Sequence, residues 1–195
     1  MSIVVADISI SLDGFVTGPD PGLERGLGIG GEPLHTWAFS DDEVDRAVLA
    51  EATGRSGAVV MGRNLFDIID GPEGWSDELG YGAGLAATPP FFVVTHRPPA
   101  SVRLGLQFTF SDDLRSTLDR ARSAAGDKDV VVMGGGGVIG QCLAQGLVDE
   151  LSLHIAPIIL GAGTPVFLPA TRCELVQRTV RVSPNATHVT YEVGR

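Results

Sequence analysis

Four consecutive glycines, Gly134, Gly135, Gly136 and Gly137, stand between the apolar run Val130–Met133 and the segment Val138-Ile139-Gly140-Gln141-Cys142-Leu143. The pattern predicts a buried strand, a bend without side chains, and a helix. A backbone that carries no Cβ lets a ligand come into contact with its N–H groups. A helix opening at the same point adds unpaired N–H groups and the positive end of its dipole. A diphosphate is the natural occupant of such a bend; the alternative is a tight strand-to-helix turn with no ligand. Two further polar clusters stand at the ends of apolar runs: Gly62-Arg63-Asn64 after Gly57–Met61, and His96-Arg97 after Phe91–Thr95. In an open α/β sheet the carboxyl ends of strands form the ligand crevice. One sheet edge then offers two arginines, the Thr95 hydroxyl, an imidazole and a helix N-terminus. Arginine suits phosphate through its bidentate fork. A dinucleotide with a diphosphate and a 2′-phosphate uses all of these groups. No Asp or Glu directly follows the second or third strand to take a ribose 2′-hydroxyl, so the pattern favours NADP over NAD. The glycines are not the G-x-G-x-x-G fingerprint of a Rossmann fold, which lies near the start of a βαβ unit.

The elements that must hold these groups are legible in the same chain. Ile3–Ile10 is rich in β-branched residues and predicts a first strand, bounded by Ser11 and Asp13-Gly14. Its apolar start, Ile3–Ala6, suits a central strand with both faces covered. Residues 13–35, rich in glycine and proline, predict a long loop of the kind that is usually functional. Ser40 ahead of Asp41, Asp42 and Glu43 reads as an N-cap with an acidic first turn, opening a helix to about Ala52. Val44, Val48 and Leu49 fall on one face of it, and Gly54 ends it. After the second strand come a short helix, Leu65–Ile69, and a second glycine- and proline-rich excursion over 70–90 containing Trp75 and Tyr81. A short strand is predicted near Leu106–Phe110, then a helix from Asp112 to about Ala124 capped by Ser111, with Leu114, Leu118 and Ala121 inward. The helix after the glycines ends near Gly146. Leu151–Ile159, Glu174–Val182 and Thr187–Val193 read as strands, separated by turns at 160–165 and Ser183-Pro184-Asn185. Alternating strand and helix followed by strands predicts an α/β domain with a mixed, mostly parallel sheet and an antiparallel C-terminal edge.

Composition narrows the partners. A chain of 195 residues with 44% hydrophobic and 19% charged residues is a single globular domain over 1–195. The net charge of −10 argues against nucleic acid or an anionic membrane as partner. An anionic ligand must then be held locally, and arginine must do it, because Lys128 is the one lysine among 14 basic residues. Cys142 and Cys173 suit a reducing compartment and show no zinc-site spacing, so no metal is expected. No apolar run approaches the ~18 residues of a membrane span, and Met1-Ser2 lead into a strand without a basic n-region. The expected location is the cytoplasm.

At this point the motifs carry a resemblance. The chain resembles the dihydrofolate reductase superfamily, and within it the reductase domain of the bifunctional riboflavin-biosynthesis deaminase–reductase. Val60-Met61-Gly62-Arg63-Asn64-Leu65-Phe66 resembles the segment V-M-G-R-x-T-[WF], and Met133–Gln141 resembles the G-G-G-x-x-[YI] turn. Ser11-Leu12-Asp13-Gly14-Phe15-Val16 resembles the S-L-D-G stretch, and Leu153–Gly163 the strand and turn of that branch. The likeness spans nearly the whole chain. It implies a three-layer dihydrofolate-reductase-like fold, NADPH as cofactor, and a homodimer through the C-terminal strands. It also implies cofactor contacts at Ala6, Gly14, Phe15, Val16, Gly62, Arg63, Asn64, Thr95, His96, Arg97, Gly134–Gly137, Val138, Ile139 and Gln141. A cis peptide at Gly134-Gly135 is implied as well. Leu65 stands where that pattern has threonine, which removes one hydroxyl. Folate reductases place a carboxylate early in the first helix as proton relay; Asp41, Asp42 and Asp45 all fall there, with helix-dipole complementation as their alternative role. No H-x-E with a P-C-x-x-C partner is present, so the zinc deaminase half is missing.

The expected activity is hydride transfer from NADPH to a C=N or C=O carbon of a pteridine, pyrimidine or sugar-derived substrate. Asp13, closing the first strand, is the candidate for substrate contact and proton relay; its alternative is the turn residue of an Asp-Gly pair. Trp37 and Trp75 are candidate walls of the substrate pocket, or plain core aromatics. His96 reads as a phosphate neighbour, and His35, His154 and His188 carry no site argument. A degenerate dimeric nucleotide-binding protein and a flavin- or F420-linked reductase are the competing readings.

Overall fold

The computed structural model describes residues 2–72, 74–76, 80–81, 88–169 and 171–194. Much of the predicted excursion over 70–90 therefore lies outside the described residues. In chain order the strands are β1 (Val4–Ser11), β2 (Phe15–Thr17), β3 (Ser56–Gly62), β4 (Phe91–Val94), β5 (Phe108–Ser111), β6 (Asp129–Gly134), β7 (Glu150–Ala156), β8 (Thr164–Pro165), β9 (Leu175–Val182) and β10 (Thr187–Val193). The helices are α1 (Glu43–Arg55), α2 (Arg63–Asp70), α3 (Leu114–Ala125) and α4 (Gly136–Ala144), with a 3₁₀ helix over Glu32–Phe39. Eight strands form one sheet in the order β5-β4-β3-β6-β1-β7-β10-β9, while β2 and β8 form a small ribbon. Strands β5 to β7 along that order run parallel; β10 is antiparallel to both β7 and β9. The three-layer, mostly parallel fold with an antiparallel C-terminal edge is the one expected.

The strands alternate their side chains between two cores, as the period of two requires. On β3, Ala58 and Val60 join Leu118, Ala121 and Ile139 on the α3/α4 face, whereas Val59 and Met61 join Phe66 and Ile69 of α2 on the other. Each fully buried side chain of this size contributes about 1.5–3 kcal/mol. Strand β1 departs from this apolar rule. Val4, Ala6 and Ile10 face α3 and α4, but the opposite face carries Val5 and then Asp7, Ser9 and Ser11. Cross-strand register sets Ser9 beside His154 on β7, and His154 beside His188 on β10. One rung of the sheet is thus polar across three strands.

Several boundaries differ from the sequence-based expectation. Helix α1 is capped by Asp42, whose carboxylate accepts from the N–H groups of Val44 at 2.9 Å and Asp45 at 3.3 Å. Ser40 instead accepts from the Asp42 N–H. The helix also runs through Gly54 to Arg55. Its buried residues are Asp45 and Thr53 rather than an apolar stripe. Helix α3 is capped by Asp113, not Ser111. Residues 13–35 hold the short β2, whose partner Thr164–Pro165 is too remote in sequence for a local pattern to show. Among the described residues no helix is long and apolar enough to cross a membrane.

Candidate active site

The carboxyl ends of β3, β4 and β6 and the N-terminus of α4 open on a cleft of about 1170 Å³ that continues between α1 and α2 over the polar face of β1. That exceeds the several hundred Å³ typical of a small-ligand pocket and suits a dinucleotide beside a second small molecule.

At the end of the cleft formed by α4 the glycines divide by cause. Gly134 has φ +131°, a left-handed conformation, and a Cβ there would meet Ile8 Cδ1 at 3.1 Å. A Cβ on Gly136 would lie 2.6 Å from the Pro165 carbonyl oxygen. These two positions need glycine for backbone conformation and packing. Gly135 and Gly137 have nothing within 4 Å of an added Cβ, so their missing side chains leave open space over the start of α4. The Gly134-Gly135 peptide is cis, as the resemblance implies. An added Cβ on Gly62 would meet Val138 at 2.7 Å, so the tip of β3 touches the first turn of α4.

Of the expected cofactor residues, Val16, Gly62, Arg63, Asn64, Thr95, His96, Gly135, Gly136, Gly137, Val138 and Gln141 line this one cleft. Trp37 and Trp75 line it as well. The other expected residues do not line it. Ala6 and Ile139 are fully buried in the α3/α4 core. Gly134 lies behind the bend. Gly14 (φ +85°) and Phe15 form the turn into the β2–β8 ribbon, where the Gly14 carbonyl accepts from Val166 N–H. Arg97 is exposed and does not line the cleft; its carbonyl accepts a hydrogen bond from Arg63 Nη1. Arg63 also donates from Nε to Asp67 at 2.7 Å. The paired guanidinium groups expected at the two strand tips reduce to one, Arg63. A second cation is supplied by Arg115 in the first turn of α3, masked in the sequence by its neighbours Asp112 and Asp113.

Asp13 is not in the cleft. Its carboxylate accepts the backbone N–H groups of Leu160 at 3.0 Å and Gly161 at 2.7 Å, tying the turn after β7 to the end of β1. Bonding to Ser11 above all, with those two N–H groups, holds its carboxyl at about 2 against the opposing effect of burial. The turn role weighed for Asp13 is the one these contacts describe. Of the first-helix acids, Asp42 caps α1, Asp41 is exposed, and Asp45 is fully buried and faces away from the cleft.

On β1 the carboxylate that reaches the cleft is Asp7. From it a chain of contacts runs inward: Asp7 Oδ1 to His154 Nε2 at 3.1 Å, His154 Nδ1 to His188 Nδ1 at 2.8 Å, and His188 Nε2 to Asp45 Oδ1 at 2.9 Å. His154, His188 and Asp45 are all buried. Trp37 covers the chain: its ring lies 4.1 Å from that of His154, and its Nε1 donates to Ser9 Oγ at 2.8 Å. Asp45 is pushed up by burial, but donors from Ser183, Asn185, His188 and Ser40 bring it below the usual carboxylate range. His188 is pushed down, chiefly by burial and despite Asp45. His35, which lines the cleft from the 3₁₀ helix, is brought to about 4 by burial and by the charge of His154. Sequence reasoning passed over this network. Its one sequence signal is polar residues at every second position of an otherwise buried strand, Asp7-x-Ser9-x-Ser11.

A dihydrofolate-reductase-like sheet with a glycine-opened helix and a strand-tip arginine on one cleft defines a class of domain. The profile of the RibD C-terminal domain matches residues 2–188, and the chain belongs to that family. It is 22% identical over 172 residues to the protein YyaP of Bacillus subtilis (strain 168), covering 85% of this chain and 80% of YyaP. Its fold is similar to that of a pyrimidine reductase-like protein from Corynebacterium diphtheriae, with TM-score 0.67, 20% identity, and coverage of 100% and 92% of the two chains. It is also similar to dihydrofolate reductase from Enterococcus faecalis complexed with NADP(H), with TM-score 0.59, 18% identity, and coverage of 99% and 97%.

Proposed function

We propose that this domain is an NADPH-dependent reductase of a small heterocyclic or sugar-derived substrate. The observation that carries the reading is the open space at Gly135 and Gly137, a hollow at the N-terminus of α4 that a Cβ would fill, in the same cleft as Arg63. The structural relative from Enterococcus faecalis, which is complexed with NADP(H), supports the same reading. The first N–H groups of α4 would receive the diphosphate, since a helix leaves them without intrahelical acceptors. Arg63 and Arg115 would take the 2′-phosphate. Asp112 and Asp113 line the cleft too, the latter as the cap of α3, so the preference for NADPH rests on two guanidinium groups outweighing these carboxylates. When bound, the reduced nicotinamide supplies hydride to the substrate carbon. Apolar walls of Leu27, Trp37, Phe39 and Ile68 with the carboxylate of Asp7 on β1 suit a planar heterocycle with one polar edge.

Thermal denaturation with each cofactor is the first test, because a ligand of the folded state raises Tm by mass action. NADPH is expected to protect more than NADH, and to be oxidised with a dihydropteridine, a ribosylamino-pyrimidine or a sugar-derived carbonyl as acceptor. Protection by a flavin or F420 in place of NADPH contradicts the reading. NADPH binding with every acceptor inert points to the degenerate binding protein.

We also infer a cytoplasmic homodimer built on β9. That edge strand exposes Val180 and Val182 on one face, while Arg181 on the other pairs with Glu51 of α1. An uncovered apolar edge strand invites pairing. The double change Val180→Glu and Val182→Glu is expected to convert dimers to monomers in light scattering; a monomeric wild-type protein at micromolar concentration contradicts it.

A further inference from the structure

The chain Asp7–His154–His188–Asp45 has three contacts, and each needs one proton. Two neutral imidazoles bring two. If both carried them on Nε2, facing the carboxylates, the Nδ1–Nδ1 contact at 2.8 Å would oppose two lone pairs. A third proton must therefore reside in the chain. Its location follows from the partners. Asp45 Oδ2 accepts from Asn185 Nδ2 at 2.7 Å, and its Oδ1 faces His188, so every neighbour treats it as an ionised acceptor. His188 then donates from Nε2 and, being neutral, presents a lone pair at Nδ1. His154 must donate to it from Nδ1. The remaining proton is left to the link between His154 Nε2 and Asp7, and Asp7 alone of the four lines the cleft.

We infer that Asp7 is the proton donor of the reduction, with His154 and His188 as the positioning residues that keep a proton on it; the inference rests on the reductase reading above. The substrate carbon accepts hydride from the reduced nicotinamide, which is oxidised by two electrons. The C=N or C=O π pair moves to nitrogen or oxygen and takes the proton from Asp7, leaving the carboxylate. Asp7 and His154 Nε2 then face each other as two acceptors, an arrangement that draws a replacement proton from water in the open cleft. Among the described residues, the other titratable groups facing this point are His35 and Tyr81, both of which line the cleft. Burial keeps His35 neutral and pushes the Tyr81 hydroxyl up. Neither is the donor. The carboxylate in the first helix, Asp45, anchors the far end of the chain instead of reaching substrate.

Asp7→Asn is the decisive variant, because the amide N–H can donate to His154 Nε2 and satisfy the chain without the third proton. The variant is expected to fold, to bind NADP⁺ within about threefold of wild type, and to lose about 100-fold or more in kcat, the usual worth of a positioned acid. The limb of the kcat/KM pH profile belonging to the Asp7–His154 link should vanish with it. A second readout needs no turnover: ¹⁵N NMR of histidine-labelled protein, without ligand. Wild type should show His188 protonated at Nε2 and His154 at Nδ1, with a His154 Nε2 signal that moves with pH and stops moving in Asp7→Asn. Activity of Asp7→Asn within threefold of wild type overturns the inference. So does a His154 protonated only at Nε2. If wild type oxidises no NADPH with any acceptor, the reductase reading fails, and the NMR result still decides where the proton sits.

Discussion

Replacing Gly137 with valine (Gly137→Val) is expected to abolish NADPH binding while leaving the fold intact. An added Cβ at this position meets no atom within 4 Å, so the substitution inserts nothing into the packed interior. Valine in the first helical turn replaces a glycine, which is itself a poor helix former, so the intrinsic helical preference improves slightly. The Tm should stay within a few degrees of wild type. The same open space is the hollow in which the diphosphate would sit against the N–H groups of α4. Two methyl groups there would remove those contacts and the close approach of the backbone. A loss of at least about 100-fold in affinity, roughly 3 kcal/mol, is expected from equilibrium titration. Gly134→Ala is the control with the opposite pattern. Its φ of +131° is hostile to a side chain, and its Cβ would press on Ile8. The strain should lower stability by about 1–3 kcal/mol whether or not cofactor is present. Equal behaviour of the two variants would show that the glycines serve only the turn.

Asp45→Ala should be among the most destabilising single changes in the molecule. It strands the His188 Nε2–H and one Asn185 amide N–H in the interior. Removing one partner of a buried polar network costs about 3–5 kcal/mol. For a chain of this size that lowers Tm by roughly 10 °C. Asp45→Asn keeps an acceptor for one of these neighbours and turns an amide N–H toward the other, so it should lose less than Asp45→Ala. If Asp45 merely complemented the dipole of α1, either change would cost under about 1 kcal/mol. The same region sets a pH dependence. His35 and His188 bind protons less readily folded than unfolded, both mainly through burial. Their contribution to stability is complete above the unfolded histidine value of about 6.5 and is lost as pH falls below it. For His35 the loss continues to about pH 4. Asp45, also lowered when folded, contributes above the unfolded carboxylate value of about 3.9 and loses that contribution as pH falls further. Urea denaturation from pH 7 to pH 4 should show a falling midpoint.

The phosphate end of the cleft was legible in the sequence because its causes are local. Consecutive glycines between an apolar strand and a helix, and an arginine directly after a strand, keep their meaning without knowledge of distant partners. Arg97 reads the same way as Arg63, and nothing local tells which guanidinium turns inward and which backbone carbonyl serves it. Arg115 was hidden because its strand end, β5, is followed by two aspartates. The catalytic end was illegible for a different reason. Asp7, His154, His188 and Asp45 come from three strands and a helix, and only the sheet order, the register and the packing of α1 bring them into one chain of contacts. Asp13 showed the converse: a carboxylate at a strand end looks available until the N–H groups of Leu160 and Gly161 are found on it. The polar alternation of β1 was the one clue, and a buried central strand that carries a carboxylate calls for a reason.

A crystal structure of the protein grown with saturating NADP⁺ tests the central claim most directly. The diphosphate should lie within hydrogen-bonding distance of the backbone N–H groups of Gly136 and Gly137, with the 2′-phosphate on Arg63 and the nicotinamide over the polar face of β1 near Asp7. A dinucleotide bound elsewhere on the molecule, or a hollow above Gly135 and Gly137 still filled by water at saturation, would contradict the account.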